Sequence, residues 1–310
     1  MIGILCEMFS YTFLSRAMLV GSLVSLCAAL LGVCMVLKRY AMIGDSLSHV
    51  GFGALALSTA ASDGILRFLT WLSAIPFLHL TEDKIQRLLD ASPLLISLPV
   101  VMIAAFLLLR LSQSTRIKGD AALGLISSGA LAIGVMTVSL SSGMNTDVTN
   151  YMFGSILSLS EADTGLSIVL SICVLLIYVL FYHRIFSVTF DETFARAIGT
   201  NASAYNTVLA LLTAVTVVLG MRMMGALLIS SLIVFPAMTA MRLCKQYRAV
   251  VLCAATLSLI CFLIGMILSY RFSFPSGASI VCVHILAFLL FSFIARIRSL
   301  LRKKQESQNV

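Results

Sequence analysis

The chain has 310 residues, of which 60% are hydrophobic and only 11% charged, with a mean hydropathy of +1.06. Soluble domains carry about a quarter charged residues, so this composition excludes a water-soluble fold and indicates a polytopic membrane protein. The net charge of +8 comes from Lys and Arg placed between apolar runs, not gathered in one patch, which argues against nucleic acid as a partner.

The N-terminus, MIGILCEMFSYTFLSRAML, has no basic residue ahead of its apolar stretch, so no cleaved signal peptide is expected. Membrane spans need about 20 mainly apolar residues. In chain order the candidate runs are Leu14–Leu37, Leu47–Ala61, Pro93–Leu111, Ala121–Leu140, Gly165–Tyr182, Ala204–Leu219, Met224–Met241, Ala249–Tyr270 and Gly277–Ala295. They predict an all-α protein with eight or nine transmembrane helices, the weakest being Leu47–Ala61. A further apolar stretch, ILRFLTWLSAIPFLHL (65–80), contains Arg67 and Pro76 and passes into TEDKIQRLLD, so 65–92 reads as an interfacial or extracytoplasmic insertion. With no linker-like tract, low-complexity segment or short repeat, the chain is expected to be one integral domain. Its membrane core covers about 14–295, followed by a basic cytoplasmic tail at 296–310. The eight cysteines lie mostly inside apolar runs without CxxC spacing and read as small packed hydrophobes.

Lys and Arg set the orientation. With nine spans and the C-terminus inside, 15 of the 21 cations fall on the inner side, and only Arg16, Arg67, Lys84, Arg87, Arg222 and Arg271 fall outside. The C-terminus is therefore expected in the cytoplasm.

The stretch KRYAMIGDSLSHVGFGALAL (38–57) carries Asp45 and His49 into the second apolar run. Residues four apart share a helix face, and an ionisable group at membrane depth is costly enough to mark a pathway or a pairing. Carboxylate and imidazole suit Mn²⁺, Fe²⁺ or Zn²⁺. Two ligands are too few for a closed structural site but suit an ion that must also leave. The alternative is that Asp45 caps the helix N-terminus while His49 satisfies a neighbouring carbonyl.

Three stretches, together with LGLISSGALAIGVM (123–136) and YMFGSIL (151–157), carry a family resemblance: RYAMIGDSLSHVGFGALAL (39–57), DETFARAIGTNASAYN (191–206) and GALLISSLIVFPAMTAM (225–241). Over roughly 14–295 the chain resembles the metal-ion permeases of bacterial ATP-binding cassette importers, which carry zinc, manganese or iron(II). The resemblance implies an importer permease fold in the cytoplasmic (inner) membrane. It also implies a second permease subunit, identical or similar, two cytoplasmic ATP-binding subunits and an extracytoplasmic metal-binding protein. On Asp45 and His49 it implies a metal-contact role, and on Asp191, Glu192, Ala195 and Gly199 a role in a cytoplasmic coupling loop (187–203) that engages the ATPases. Ser273 departs from the pattern, standing where relatives tend to have an acidic residue.

The loop suits coupling on its own chemistry: small Ala195 and Ala197 let a short helix seat in a groove, and Gly199 is a common helix stop. No GxxxxGK[ST] phosphate cradle occurs in the 310 residues, so the chain is expected to be no enzyme itself, with ATP hydrolysis in a partner. No permanently bound cofactor is expected, the metal being cargo. Pro236, inside a span, should kink its helix and is a gate or hinge candidate. Weaker polar candidates are His284 beside Cys282, interfacial His79 and His183, and Met221, Met223 and Met224, which are typical gap fillers. Asp63, Glu82, Asp83, Asp90, Asp147, Glu161 and Asp163 form the expected outer rim. Competing functions are a permease for larger chelates of siderophore or cobalamin type, an intramembrane metalloenzyme using Asp45, His49 and His284, and a proton-coupled carrier.

Overall fold

The computed structural model describes the backbone over residues 11–73, 97–108, 119–140 and 161–308, with side chains over 11–58, 97–108, 121, 123–140, 164–221, 224–226 and 228–298. Among these residues the chain is entirely helical apart from short connections. The helices are α1 (Thr12–Leu37), α2 (Ala41–Ser73), α3 (Ser97–Leu108), α4 (Gly119–Leu140), α5 (Glu161–Leu180), α6 (Tyr182–Phe190), α7 (Glu192–Ala197), α8 (Ala202–Met224), α9 (Ala226–Leu243), α10 (Tyr247–Phe272) and α11 (Ser276–Gln308).

Every expected apolar run has a helical counterpart. Five helices, α1, α4, α8, α10 and α11, are long and apolar enough to cross a membrane, and α5 with α6, bent by 69°, makes a sixth. The described part of α3 and most of α9 are shorter apolar helices, so eight or nine full-length crossings are not all present among the described residues. The run expected at Leu47–Ala61 is part of a much longer helix, α2, which continues unbroken past 65 to Ser73. The boundary drawn at 65 thus falls inside a helix, while 74–92, with Pro76 and His79, lies outside the described residues. The basic tail continues α11 as helix to Gln308.

α1 and α8 are buried along most of their length, whereas α4 and α11 are mostly exposed. Outward-facing Leu125, Met136, Leu140, Leu286 and Leu290 are unremarkable in hydrocarbon, which is as apolar as leucine. In lipid, helices associate through close backbone approach and polar bridges, and both occur here. A Cβ at Gly53 would lie 2.6 Å from the Ala130 carbonyl oxygen, which places α2 directly against α4. At Gly32 it would lie 2.0 Å from the Ile233 carbonyl oxygen, which does the same for α1 and α9. The Ser25 and Ser258 hydroxyls meet at 3.0 Å between α1 and α10. Near the C-terminal end of α1, the Cys34 thiol, Tyr178 of α5 and Tyr247 of α10 form a buried triangle, with the two hydroxyls 3.2 Å apart.

A single residue, Gly225, links α8 to α9, at φ 86° and ψ 160°. That region is essentially closed to residues with a Cβ, at about 1–3 kcal/mol of strain. Gly225→Ala should therefore lower stability by about 1–3 kcal/mol, read as a reduced melting temperature of the purified permease. An unchanged melting temperature would show that the junction relaxes.

Candidate functional site

The α1–α2 turn positions Asp45 and His49. Arg39 takes a left-handed conformation at φ 61°, the Tyr40 N–H donates to the Met35 carbonyl and the Arg39 N–H to the Val36 carbonyl. This pair of bonds is a Schellman stop, built here on Arg where Gly is usual. α2 starts at once, at Ala41. Asp45 is therefore in the second turn, not at the N-cap, and the capping alternative fails.

His49 Nε2 lies 3.8 Å from Asp45 Oδ2, and the pair projects from an open stripe of α2: the Asp45 side chain is 52% exposed and that of His49 22%. Ile43, Gly44, Ser46, Leu47, Ser48 and Val50 on the other faces are buried. Ser48 turns inward and donates to the Asp45 carbonyl at 2.6 Å, so it is part of the helix, not of the open stripe. At 1.5 Å per residue, Asp45 and His49 stand about 6 and 12 Å up from the start of α2. A carboxylate directed into hydrocarbon is strongly disfavoured. The Asp45 stripe therefore calls for water or another protein surface.

The second group is built on α6, α7 and α8. Asp191 caps α7, its Oδ1 accepting from the Phe194 N–H at 2.9 Å and from the Thr193 hydroxyl at 2.5 Å. The Thr193 bond first, then the Phe194 bond, hold its carboxyl below the usual range. Ala195 is fully buried against Val188 and Ala202. Gly199, at φ 81°, ends α7 in a second Schellman stop, with the Gly199 N–H bonded to the Arg196 carbonyl and the Thr200 N–H to the Ala195 carbonyl. Both small residues thus have local structural reasons. Phe190, Phe194 and Ile198 remain more than half exposed at intervals of four.

Glu192 ties this unit to the rest. Its Oε1 accepts from Arg196 at 2.5 Å and its Oε2 from Asn206 Nδ2 at 3.1 Å, while Lys38, capping α1, lies 3.9 Å from Oε2 and donates to Asn206 Oδ1. The turn that launches Asp45 and His49 is thereby joined to α7 through one buried ammonium. Sequence reading missed Lys38 and Asn206 as members of this group, since 168 residues separate them. Lys38 was legible only as an orientation signal.

Burial pulls the Lys38 ammonium below its ordinary range, and Glu192 offsets part of that. Burial alone would raise Glu192, but hydrogen bonds from Asn206 and Arg196, with the Lys38 and Arg196 charges, outweigh it and hold the carboxyl low. A lowered carboxyl stabilises the fold fully above its ordinary value of 4.5 and ceases to do so as pH falls through the lowered value. Glu192→Gln should accordingly loosen α7 by about 2 kcal/mol at neutral pH, the scale of a hydrogen bond to a charged group. Amide exchange across 192–198 would register the change, and the gap from wild type should close in acid.

The remaining candidates are dispersed. His284 is buried in α11, its Nε2 without a hydrogen-bond partner among the described residues. No three His, Cys, Asp or Glu side chains gather among those residues, so the structure does not bring His284 to Asp45 and His49 as the metalloenzyme alternative required. Met221 and Met224 are buried packing residues against Gly51 and Gly21, and His183 is exposed. Cys27, Cys34 and Cys261 are buried as expected, but Cys173 and Cys282 are exposed. Pro236 lies inside α9, which continues through it to Leu243. Residues 151–157 and the acidic Glu82, Asp83, Asp90 and Asp147 lie outside the described residues, as do the side chains of Asp63, Glu161, Asp163 and Met223.

Residues 10–78 and 85–295 match the ABC 3 transport family. The chain belongs to this family. Similar relatives include the high-affinity zinc uptake system membrane protein ZnuB of Haemophilus influenzae, 31% identical over 288 residues that cover 91% of this chain and 98% of that protein. The manganese import system permease protein ScaB of Streptococcus gordonii is 26% identical over 95% of each chain. In fold the chain is similar to PsaBC from Streptococcus pneumoniae, solved in complex with Fab, with a TM-score of 0.77 and 24% identity over 98% of this chain and 100% of that one. As a family member with apolar helices of spanning length, it is a multi-pass transporter permease of the bacterial cytoplasmic membrane.

Proposed function

We propose that the chain is the pore subunit of an importer for divalent transition-metal ions, with Asp45 and His49 lining the ion's path. The observation that carries this reading is the open stripe of α2, where a carboxylate and an imidazole 3.8 Å apart stand on the outside of an otherwise apolar bundle. Two such stripes facing one another across a permease dimer would offer two oxygen and two nitrogen donors, with water completing the shell. That donor set suits Mn²⁺, Fe²⁺ and Zn²⁺ alike. Relatives named for manganese, zinc and iron transport support the same class of cargo.

In this reading α7 seats on a cytoplasmic ATPase through Phe194 and Ile198, and an extracytoplasmic binding protein delivers the ion. ATP-driven closure of the ATPases moves α7, and Glu192–Lys38 passes that movement to the turn ahead of Asp45. The path then opens alternately to either side, with Pro236 in α9 as the bend about which it gates. Uptake of Mn²⁺, Fe²⁺ and Zn²⁺ compared on the assembled transporter tests the function. At least one bare ion should accumulate with ATP. Uptake of chelated metal alone would sink the proposal.

A further inference from the structure

Three aromatic side chains of α6, Tyr182, Phe186 and Phe190, stand four residues apart and so follow one face of that helix. All three rest on a single ring, that of Tyr247 at the start of α10, with centroid separations of 5.7, 4.8 and 5.7 Å. The contacts are tilted or edge-on, the favourable arrangements for aromatic pairs. Tyr247 is only 7% exposed, and its hydroxyl is held by Cys34 of α1 and Tyr178 of α5, each at 3.2 Å. Ile185 of α6 is buried in the same cluster. The Tyr247 ring thus meets α6, while its hydroxyl meets α1 and α5.

α6 is joined to α7 as one body. The Asp191 N–H donates to the Ser187 carbonyl at the end of α6, the Asp191 carboxylate caps α7, and Val188 of α6 packs with Ala195 of α7. Ahead of α6 the chain has a one-residue break, Phe181, where the helix axis turns by 69°. A residue between two helix ends is an ordinary place for a hinge. A displacement of α7 that turns this body about Phe181 bears on Tyr247. From there it reaches α10 directly, α9 through the short connection 244–246, and α1 through Cys34, one turn before Lys38. The Glu192 contacts, by comparison, run to α1 and α8. The ring contacts add α10 and, next to it in the chain, α9 with Pro236.

We propose that Tyr247 is a positioning residue for transport: the aromatic face of α6 bears on its ring, and through that ring the movement of α7 reaches α9 and α10. This rests on the reading that α7 receives the stroke of the ATPase. The ring is the larger part of the link, because bonds to a thiol are weak.

The test uses the assembled transporter in proteoliposomes, with metal uptake, ATP hydrolysis and co-purification of the ATPase measured together. Tyr247→Leu removes the ring contacts. It should keep the ATPase and hydrolyse ATP at a rate near wild type, yet import about tenfold less metal per ATP, the scale of a coupling between sites. Loss of folded transporter would lower uptake and hydrolysis together and leave their ratio unchanged. Tyr247→Phe should keep most of the coupling, since it retains the ring and leaves Cys34 and Tyr178 with each other at 3.7 Å. Phe186→Leu, at the shortest contact, should also lower metal imported per ATP. Tyr247→Leu/Phe186→Leu should be no worse than Tyr247→Leu alone, because two residues serving one link do not add. The proposal is overturned if Tyr247→Leu imports as much metal per ATP as wild type, or if the two losses add in the double variant, which would mark ordinary packing. Should Tyr247→Leu fail to assemble, an unchanged ratio in Phe186→Leu overturns it. Either result leaves the functional reading standing when wild type accumulates a bare ion. A wild type that takes up only chelated metal would sink that reading instead, and the same ratios, measured with the chelate, would still decide the role of Tyr247.

Discussion

The Asp45→Ala/His49→Ala double variant should assemble normally with its partner subunits yet lose metal uptake by at least about tenfold, the lower range for disturbing a metal's ligand environment. The physical reason is local. Both side chains lie along the open stripe of α2, that of Asp45 52% and that of His49 22% exposed, and they pair with each other, so removing the two together leaves neither of them facing a lost partner. ATPase activity and melting temperature should consequently stay near wild type, and removing an outward carboxylate from a membrane protein can even raise stability. Conservative changes should grade the effect. Asp45→Asn keeps one oxygen donor but removes the charge, so it should weaken uptake less than Asp45→Ala. Uptake by the double variant equal to wild type would refute the path assignment.

The second large effect is expected at Phe194→Asp. Phe194 is 58% exposed on α7, one turn before Ile198 and four residues past Phe190 at the end of α6, and contributes only its backbone to the α7 cap. Aromatic anchors at the centre of an interface are worth about 2–4 kcal/mol on truncation, and a carboxylate adds a desolvation penalty. Co-purification of the ATPase should fall by about thirtyfold or more, while the permease itself remains folded because the side chain packs on little within its own subunit. Lys38→Met offers a contrast. It preserves the Phe194 surface but cuts the link from Glu192 to α1, so ATPase binding should persist while uptake per ATP hydrolysed declines. Retained ATPase binding by Phe194→Asp would place the docking surface elsewhere.

Much of the fold was legible because hydropathy and helix length are set by the same bilayer. α1 and α10 coincide with their predicted runs to within a few residues. α2 was harder to read because Asp45, Ser46, Ser48 and His49 interrupt its apolar pattern, so the start of the helix looked polar and its continuation past Asp63 and Arg67 looked like a separate piece. The 69° bend at Phe181 has no Gly or Pro to announce it. The turn at Arg39 was similarly hidden, since its left-handed residue is not Gly. At the site, i to i+4 spacing was enough to pair Asp45 with His49, and the loop motif was enough to find Asp191 and Glu192. The Lys38–Asn206–Glu192 network was invisible because it depends on tertiary proximity, and the row of Phe190, Phe194 and Ile198 was not singled out, because its exposure is a property of the folded chain.

The most direct measurement is pulsed electron paramagnetic resonance of Mn²⁺ on the assembled, nucleotide-free transporter. An imidazole ligand gives the bound ion a nitrogen hyperfine coupling. Wild type should show that coupling and His49→Ala should lose it, with Asp45→Ala weakening occupancy. A nitrogen coupling of full strength in His49→Ala would contradict the account, because the ion would then be held by some other imidazole.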